Sequence, residues 1–198
     1  MKNKTNKISN FKFIDDEKFG NHPMLMYESI KGGISAQIRY LHNGLTKGEH
    51  AVYLSNGDPQ DIEDEISDYI DVDTFRKKGL LHMFQIQDNI STSSEDALKH
   101  WDDVMNIIES YGTRFRLTRS IINTIDIKNG KELRLSIEKK LHKIISKYNG
   151  SILCPYRIVK ASDNYEKELM VDTLRNHSDV IYIPESNEGT SFNADFML

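Results

Sequence analysis

The residues best placed for chemistry lie between positions 28 and 35: Glu28-Ser29-Ile30-Lys31-Gly32-Gly33-Ile34-Ser35. They follow an apolar run of strand length and precede a helical stripe, which is the position a phosphate-binding loop occupies. Such a loop needs glycines so that backbone N–H groups can reach phosphate. It also needs a lysine on the β- and γ-phosphates and a hydroxyl for Mg²⁺. Ser29, Lys31, Gly32, Gly33 and Ser35 supply these residue types in the wrong order, because Lys31 precedes the glycines and no lysine precedes Ser35. The helix start can still offer N–H groups to an anion, but the groups for ATP hydrolysis are missing. The segment reads as a degenerate phosphate loop without a catalytic residue, and the chain is not expected to be an enzyme.

Other candidates are scattered. His22 opens a strand, Cys154 sits near a strand end and His177 precedes the last strand. These three could converge on a metal, yet the seven histidines and one cysteine show no zinc-ribbon spacing and no HExxH motif. No metal and no cofactor are therefore expected. Cys154 reads as a small buried hydrophobe, reactive only beside a positive charge. Arg116, on a central strand, needs a partner if buried, and Glu138 on the following helix is the expected one.

The elements that must position these residues alternate. Pro23–Tyr27 (PMLMY) is continuously apolar, as in a strand buried on both faces. Ile34, Ile38, Leu41 and Leu45 form one helical stripe, Gly48 ends it and Ala51–Leu54 is the next strand, completing a βαβ unit. Asp58-Pro59 caps a helix with Ile62, Ile66 and Ile70 inward, and its acidic residues form a solvated face. Leu80–Phe84 is a third strand. A Ser91–Ser94 cap region starts a helix to Tyr111 with Trp101, Val104, Met105 and Ile108 inward. Thr113–Ser120 is the fourth strand, Leu133, Ile137, Leu141, Ile144 and Ile145 mark another large helix, and Ser151–Cys154 is the fifth strand. Asp163 with Glu166 makes a capping box before Leu174, and Val180–Ile183 is a sixth strand. The alternation predicts an α/β fold of three layers, α/β/α, around a mostly parallel sheet. Ligands in such sheets gather at the carboxyl ends of the strands, so the loops after Tyr27, Ser55, Phe84, Ser120 and Tyr156 are the expected site.

Composition bounds the function. The 198 residues suffice for one domain and a sizeable core. A net charge of −4 gives no general attraction to nucleic acid, and direct nucleic-acid binding is not expected. No apolar run approaches membrane-span length, no signal peptide is visible and one cysteine forms no internal disulfide, so a cytoplasmic protein is expected. Residues 1–20 read as a flexible arm, 21–184 as the α/β domain and 185–198 as a disordered tail.

Gly44 to Pro59 (GLTKGEHAVYLSNGDP) resembles the segment after the phosphate-loop helix in RecA/KaiC-type ATPases. Aligned back along the helix, that pattern puts Gly33 where the phosphate lysine belongs and Ile34 and Ser35 on the hydroxyl positions. The combination is similar to the MEDS family, the sensory domain of methanogen and methylotroph regulators. His22 and Tyr27 around the first strand, Gly44-Leu45 with Gly48-Glu49, and Gly79-Leu80 match its pattern. So do Arg116-Leu117-Thr118, Glu138, Cys154-Pro155-Tyr156, and Leu174-Arg175 with His177. Arg119-Ser120 departs from it, because the family often carries an acidic residue there.

The resemblance implies a RecA/KaiC-like core without phosphate chemistry, and a ligand-binding set drawn from His22, Tyr27, Arg116, Cys154, Tyr156 and His177. It implies sensing of a small molecule, a small carbon compound by class, with output through a separate protein such as a transcription regulator or kinase. A nucleotide-binding protein with residual or no ATPase activity, and a ligand-free interaction scaffold, stand as alternatives. A homo-oligomer is left open.

Overall fold

The computed structural model describes residues 12–15, 20–86, 94–111, 114–120, 130–148, 150–158, 171–186 and 189–193. Within them lie seven strands: β1 (Met24–Tyr27), β2 (His50–Ser55), β3 (Leu81–Gln85), β4 (Phe115–Arg119), β5 (Gly150–Arg157), β6 (Asp179–Ile183) and β7 (Thr190–Asn193). They form one sheet in the order β3-β2-β4-β5-β1-β6-β7, parallel except for the β6–β7 pair. The helices with both ends described are α1 (Lys12–Asp15), α2 (Ile30–Thr46), α3 (Pro59–Ser67), α4 (Val72–Lys77), α5 (Ser94–Ser110) and α6 (Gly130–Lys147), and residues 171–174 are helical as well.

Both faces of the sheet are covered, which is why the central strands read as unbroken apolar runs. Leu25, Tyr27, Ala51, Tyr53, Leu153 and Ile181 pack with Ala36, Ile38 and Leu41 of α2 and Ile66 of α3. Met24, Val52, Leu54, Leu117, Ile152 and Cys154 face the other way, onto Trp101, Val104 and Met105 of α5 and Ile137, Leu141 and Ile145 of α6. Neighbouring numbers thus land on opposite sides, as the period of two in a strand demands. The ladder sets Met24 beside Cys154 on one side and Val180 on the other.

The expected fold is present with local corrections. Ile70 lies beyond the end of α3, and a new cap, with Asp71 Oδ1 accepting from Thr74 N at 3.0 Å, starts α4. Part of the expected arm is ordered: α1 docks on α2, Ile14 is fully buried, and Asp15 pairs with Arg39. Part of the expected tail is β7, which covers the edge of β6 that would otherwise be open. The Ser91–Ser93 portion of the α5 cap and the Asp163/Glu166 cap lie outside the described residues, as do most residues of the loops following β3, β4 and β5. Among the described residues no helix is long and apolar enough to cross a membrane.

Candidate functional site

The expected phosphate loop is filled by its own side chains. Ser29 caps α2, its Oγ accepting from Gly32 N at 3.2 Å, while the Ser29 carbonyl accepts from Gly33 N at 2.9 Å. Those N–H groups are the ones an anion would need. Gly33 lies flat on the Tyr27 ring, where a Cβ would stand 2.6 Å from the ring carbon Cδ2. The glycine therefore answers to a tyrosine. Burial pushes the Tyr27 hydroxyl pKa up to about 12. Glu28 accepts from the Tyr182 hydroxyl at 2.8 Å and from Glu185 N at 2.9 Å, and these donors hold its carboxyl below the usual range. A carboxylate thus flanks the loop. Lys31 is exposed and Ser35 half-buried.

Strand β4 bears two buried arginines, and the pleat turns them apart. Arg116 faces α2, donating from Nε to Glu49 Oε2 at 2.7 Å, with its guanidinium over the Tyr40 ring. Gly44 makes room for this pair, because a Cβ there would meet Arg116 Cδ at 2.7 Å. The expected Arg116–Glu138 pair is corrected: Glu138 lies on the opposite face and pairs with Arg119, from Nη2 to Oε1 at 2.8 Å. Arg119 shares its side of β4 with Phe115 and Leu117 and lies over the indole of Trp101 on α5.

Around Glu138 a polar cluster forms beneath α6. The Tyr156 hydroxyl donates to Glu138 Oε1 at 2.5 Å, beside Arg119. The other oxygen, Oε2, faces His22 Nε2 at 3.4 Å, His177 Nε2 at 3.5 Å and Cys154 Sγ at 3.7 Å. His22 Nε2 and Cys154 Sγ are 3.1 Å apart, and the two imidazole centroids 4.1 Å. His22 Nδ1 meets the Asn176 carbonyl at 3.0 Å and His177 Nδ1 the Thr173 carbonyl at 2.7 Å. His22, Glu138, Cys154 and His177 are all buried, and their potential ligand atoms lie within 4.8 Å of one another. Burial would raise the Glu138 carboxyl, but Arg119, the two imidazoles and Tyr156 outweigh it and hold the pKa at about 2. Burial first, then the neighbouring His177, keeps His22 well below the ordinary imidazole range, against the pull of Glu138.

Of the six expected ligand-binding residues, four converge here: His22, Cys154, Tyr156 and His177. Tyr27 and Arg116 belong to the α2 face. The carboxylate that draws the cluster together, Glu138, was legible as an inward residue one position from Ile137. Arg119 was missed as a site residue. Its odd spacing from Arg116 on an alternating strand was the available signal.

The family model described as the MEthanogen/methylotroph, DcmR Sensory domain (MEDS) matches residues 21–178. Among solved structures, a KaiC-like protein of the hyperthermophilic archaeon Pyrococcus horikoshii superposes with a TM-score of 0.64 at 13% identity, over 87% of this chain and 76% of that one. The likeness shows the fold: a RecA/KaiC-like α/β core. No curated protein matches the sequence.

Proposed function

The chain belongs to the MEDS family, and from that premise we propose that it is a non-catalytic sensory module. It binds a small ligand, a small carbon compound by class, and passes the signal to a separate protein such as a transcription regulator or kinase. The observation that carries this reading is the occupied loop. Gly33 is closed by Tyr27, the N–H groups of Gly32 and Gly33 are taken by Ser29, and Glu28 brings negative charge where phosphate would bind. Polar and titratable side chains are concentrated instead beneath α6.

A thermal-shift screen tests it, since any compound that binds only the native state raises Tm. Small alcohols, amines and organic acids are compared with ATP–Mg²⁺. At about 100 times its Kd, a true ligand is expected to raise Tm by roughly 5–10 °C. A comparable rise with ATP–Mg²⁺ that Lys31→Ala abolishes would overturn the sensory reading in favour of nucleotide binding.

A further inference from the structure

The cluster beneath α6 gathers several acceptors around one thiol, which donates to only one of them at a time. A backbone carbonyl only accepts, so Nδ1 of His22, facing Asn176 O, and Nδ1 of His177, facing Thr173 O, each carry the ring hydrogen. In the neutral rings both Nε2 atoms then present lone pairs. They point toward a third acceptor, Glu138 Oε2, at 3.4 and 3.5 Å, beyond the 2.7–3.2 Å range of ordinary N–H···O bonds. The Cys154 sulfur lies at the same centre. Three lone-pair donors and one thiol thus share a buried space.

We infer that this space is a metal site, holding a divalent ion of zinc type through His22 Nε2, His177 Nε2, Cys154 Sγ and Glu138 Oε2. Bonds of about 2.0–2.3 Å to nitrogen, oxygen and sulfur in a tetrahedron place the ligand atoms about 3.3–3.7 Å apart. Four of the six separations are 3.1, 3.4, 3.5 and 3.7 Å, close to those edges, and all six lie within 4.8 Å. One thiolate, two imidazoles and one carboxylate in this arrangement suit Zn²⁺ and its stand-in Co²⁺, and do not suit Mg²⁺ or Ca²⁺, which take oxygen.

The outer partners are those of a metal centre. Both imidazoles donate their far nitrogen to a carbonyl, and Glu138 gives its far oxygen to Arg119 and Tyr156, so each of the three is oriented by its second atom. Binding would release the Cys154 thiol proton to solvent and leave a thiolate bonded to the ion. With four buried protein ligands the site is closed, hence structural in type. The ion would tie α6 to the approach to β1, the middle of β5 and the approach to β6. This assignment does not depend on the sensory reading.

The test is refolding of the full chain from denaturant with and without Co²⁺ or Zn²⁺. The expected result is one ion per chain by elemental analysis, a higher Tm with Zn²⁺, and a thiolate-to-cobalt charge-transfer band with Co²⁺. Cys154→Ser should remove that band, and Tyr156→Phe, which spares every ligand, should weaken Zn²⁺ about 10-fold in a chelator competition. A chain that refolds natively with no bound metal would overturn the inference, as would a cobalt spectrum without the thiolate band. Neither of those two outcomes requires a variant to fold.

Discussion

The two faces of the sheet each hold a buried arginine from β4 and a buried carboxylate, yet they differ in what surrounds the pair. On the α2 face Arg116 and Glu49 are matched by Tyr40, with Gly44 giving them room. The rest of the polar set there is also paired: Tyr40 with Ser151 at 2.5 Å, and Thr118, which donates to the Leu153 carbonyl at 2.9 Å. On the α6 face Arg119 and Tyr156 engage one oxygen of Glu138, and the other looks into two imidazoles and a thiol. A buried ion pair is therefore not by itself a sign of function. The first pair is closed by its surroundings, whereas the second orients a carboxylate toward soft donors.

Breaking the α2 pair should have the largest effect. Arg116→Ala leaves Glu49 charged and buried, and a loss of about 3–5 kcal/mol in urea denaturation is expected. Replacing both residues by methionine should recover most of that stability, because well-packed apolar side chains match or exceed a buried pair. The cobalt spectrum of the opposite face should be unchanged in the double variant. A spectral change would show that the two faces are one network.

A smaller effect is expected at the loop between β1 and α2. Gly33→Ala puts a methyl at 2.6 Å from the Tyr27 ring, and overpacking of this kind costs about 1–3 kcal/mol. Adding Tyr27→Leu should restore stability, as measured by thermal melts. If Gly33→Ala is neutral, the ring is not what requires the glycine.

The smallest effect comes from a second histidine pair, on β2 and β3. His50 Nδ1 and His82 Nε2 are 2.9 Å apart, and both rings stack on Tyr111. Burial lowers both pKa values, and for His82 the His50 charge lowers it further. The folded state therefore takes up protons at lower pH than the unfolded chain. Stability is present in full above the unfolded value of about 6.5 and declines as pH falls below it toward the folded values. Because these rings are partly exposed, their share of the Tm loss between pH 7.5 and 5.5 is about 1–2 °C, added to the loss of the same sign from buried His22. His82→Gln should make the profile shallower by that share and leave the remainder.

Much of the architecture was readable from local pattern. Apolar runs at Pro23–Tyr27 and Val180–Ile183, the stripe through Ile34, Ile38, Leu41 and Leu45, and the Asp58-Pro59 start each reflect short-range physics that the final fold obeys. β7 was not readable, because Thr190–Asn193 carries no apolar alternation and becomes a strand only where β6 offers an unpaired edge. The same holds for α1, whose four residues gain their order from burying Ile14 against α2.

What the sequence alone determined is the order of the strands β1 to β6 and of the large helices between them, the lack of a Gly-Lys-Ser/Thr run at Lys31, Gly32 and Gly33, and the need of buried Arg116 for a partner. These follow from residue type and near-neighbour spacing. The tertiary structure decided that the partner is Glu49, that Glu138 belongs to Arg119, and that His22, Cys154 and His177 meet around one oxygen. The reason is geometric. Alternation tells which strand residues share a side, but only the crossovers of a parallel sheet decide which helix covers that side, and they join residues more than a hundred positions apart.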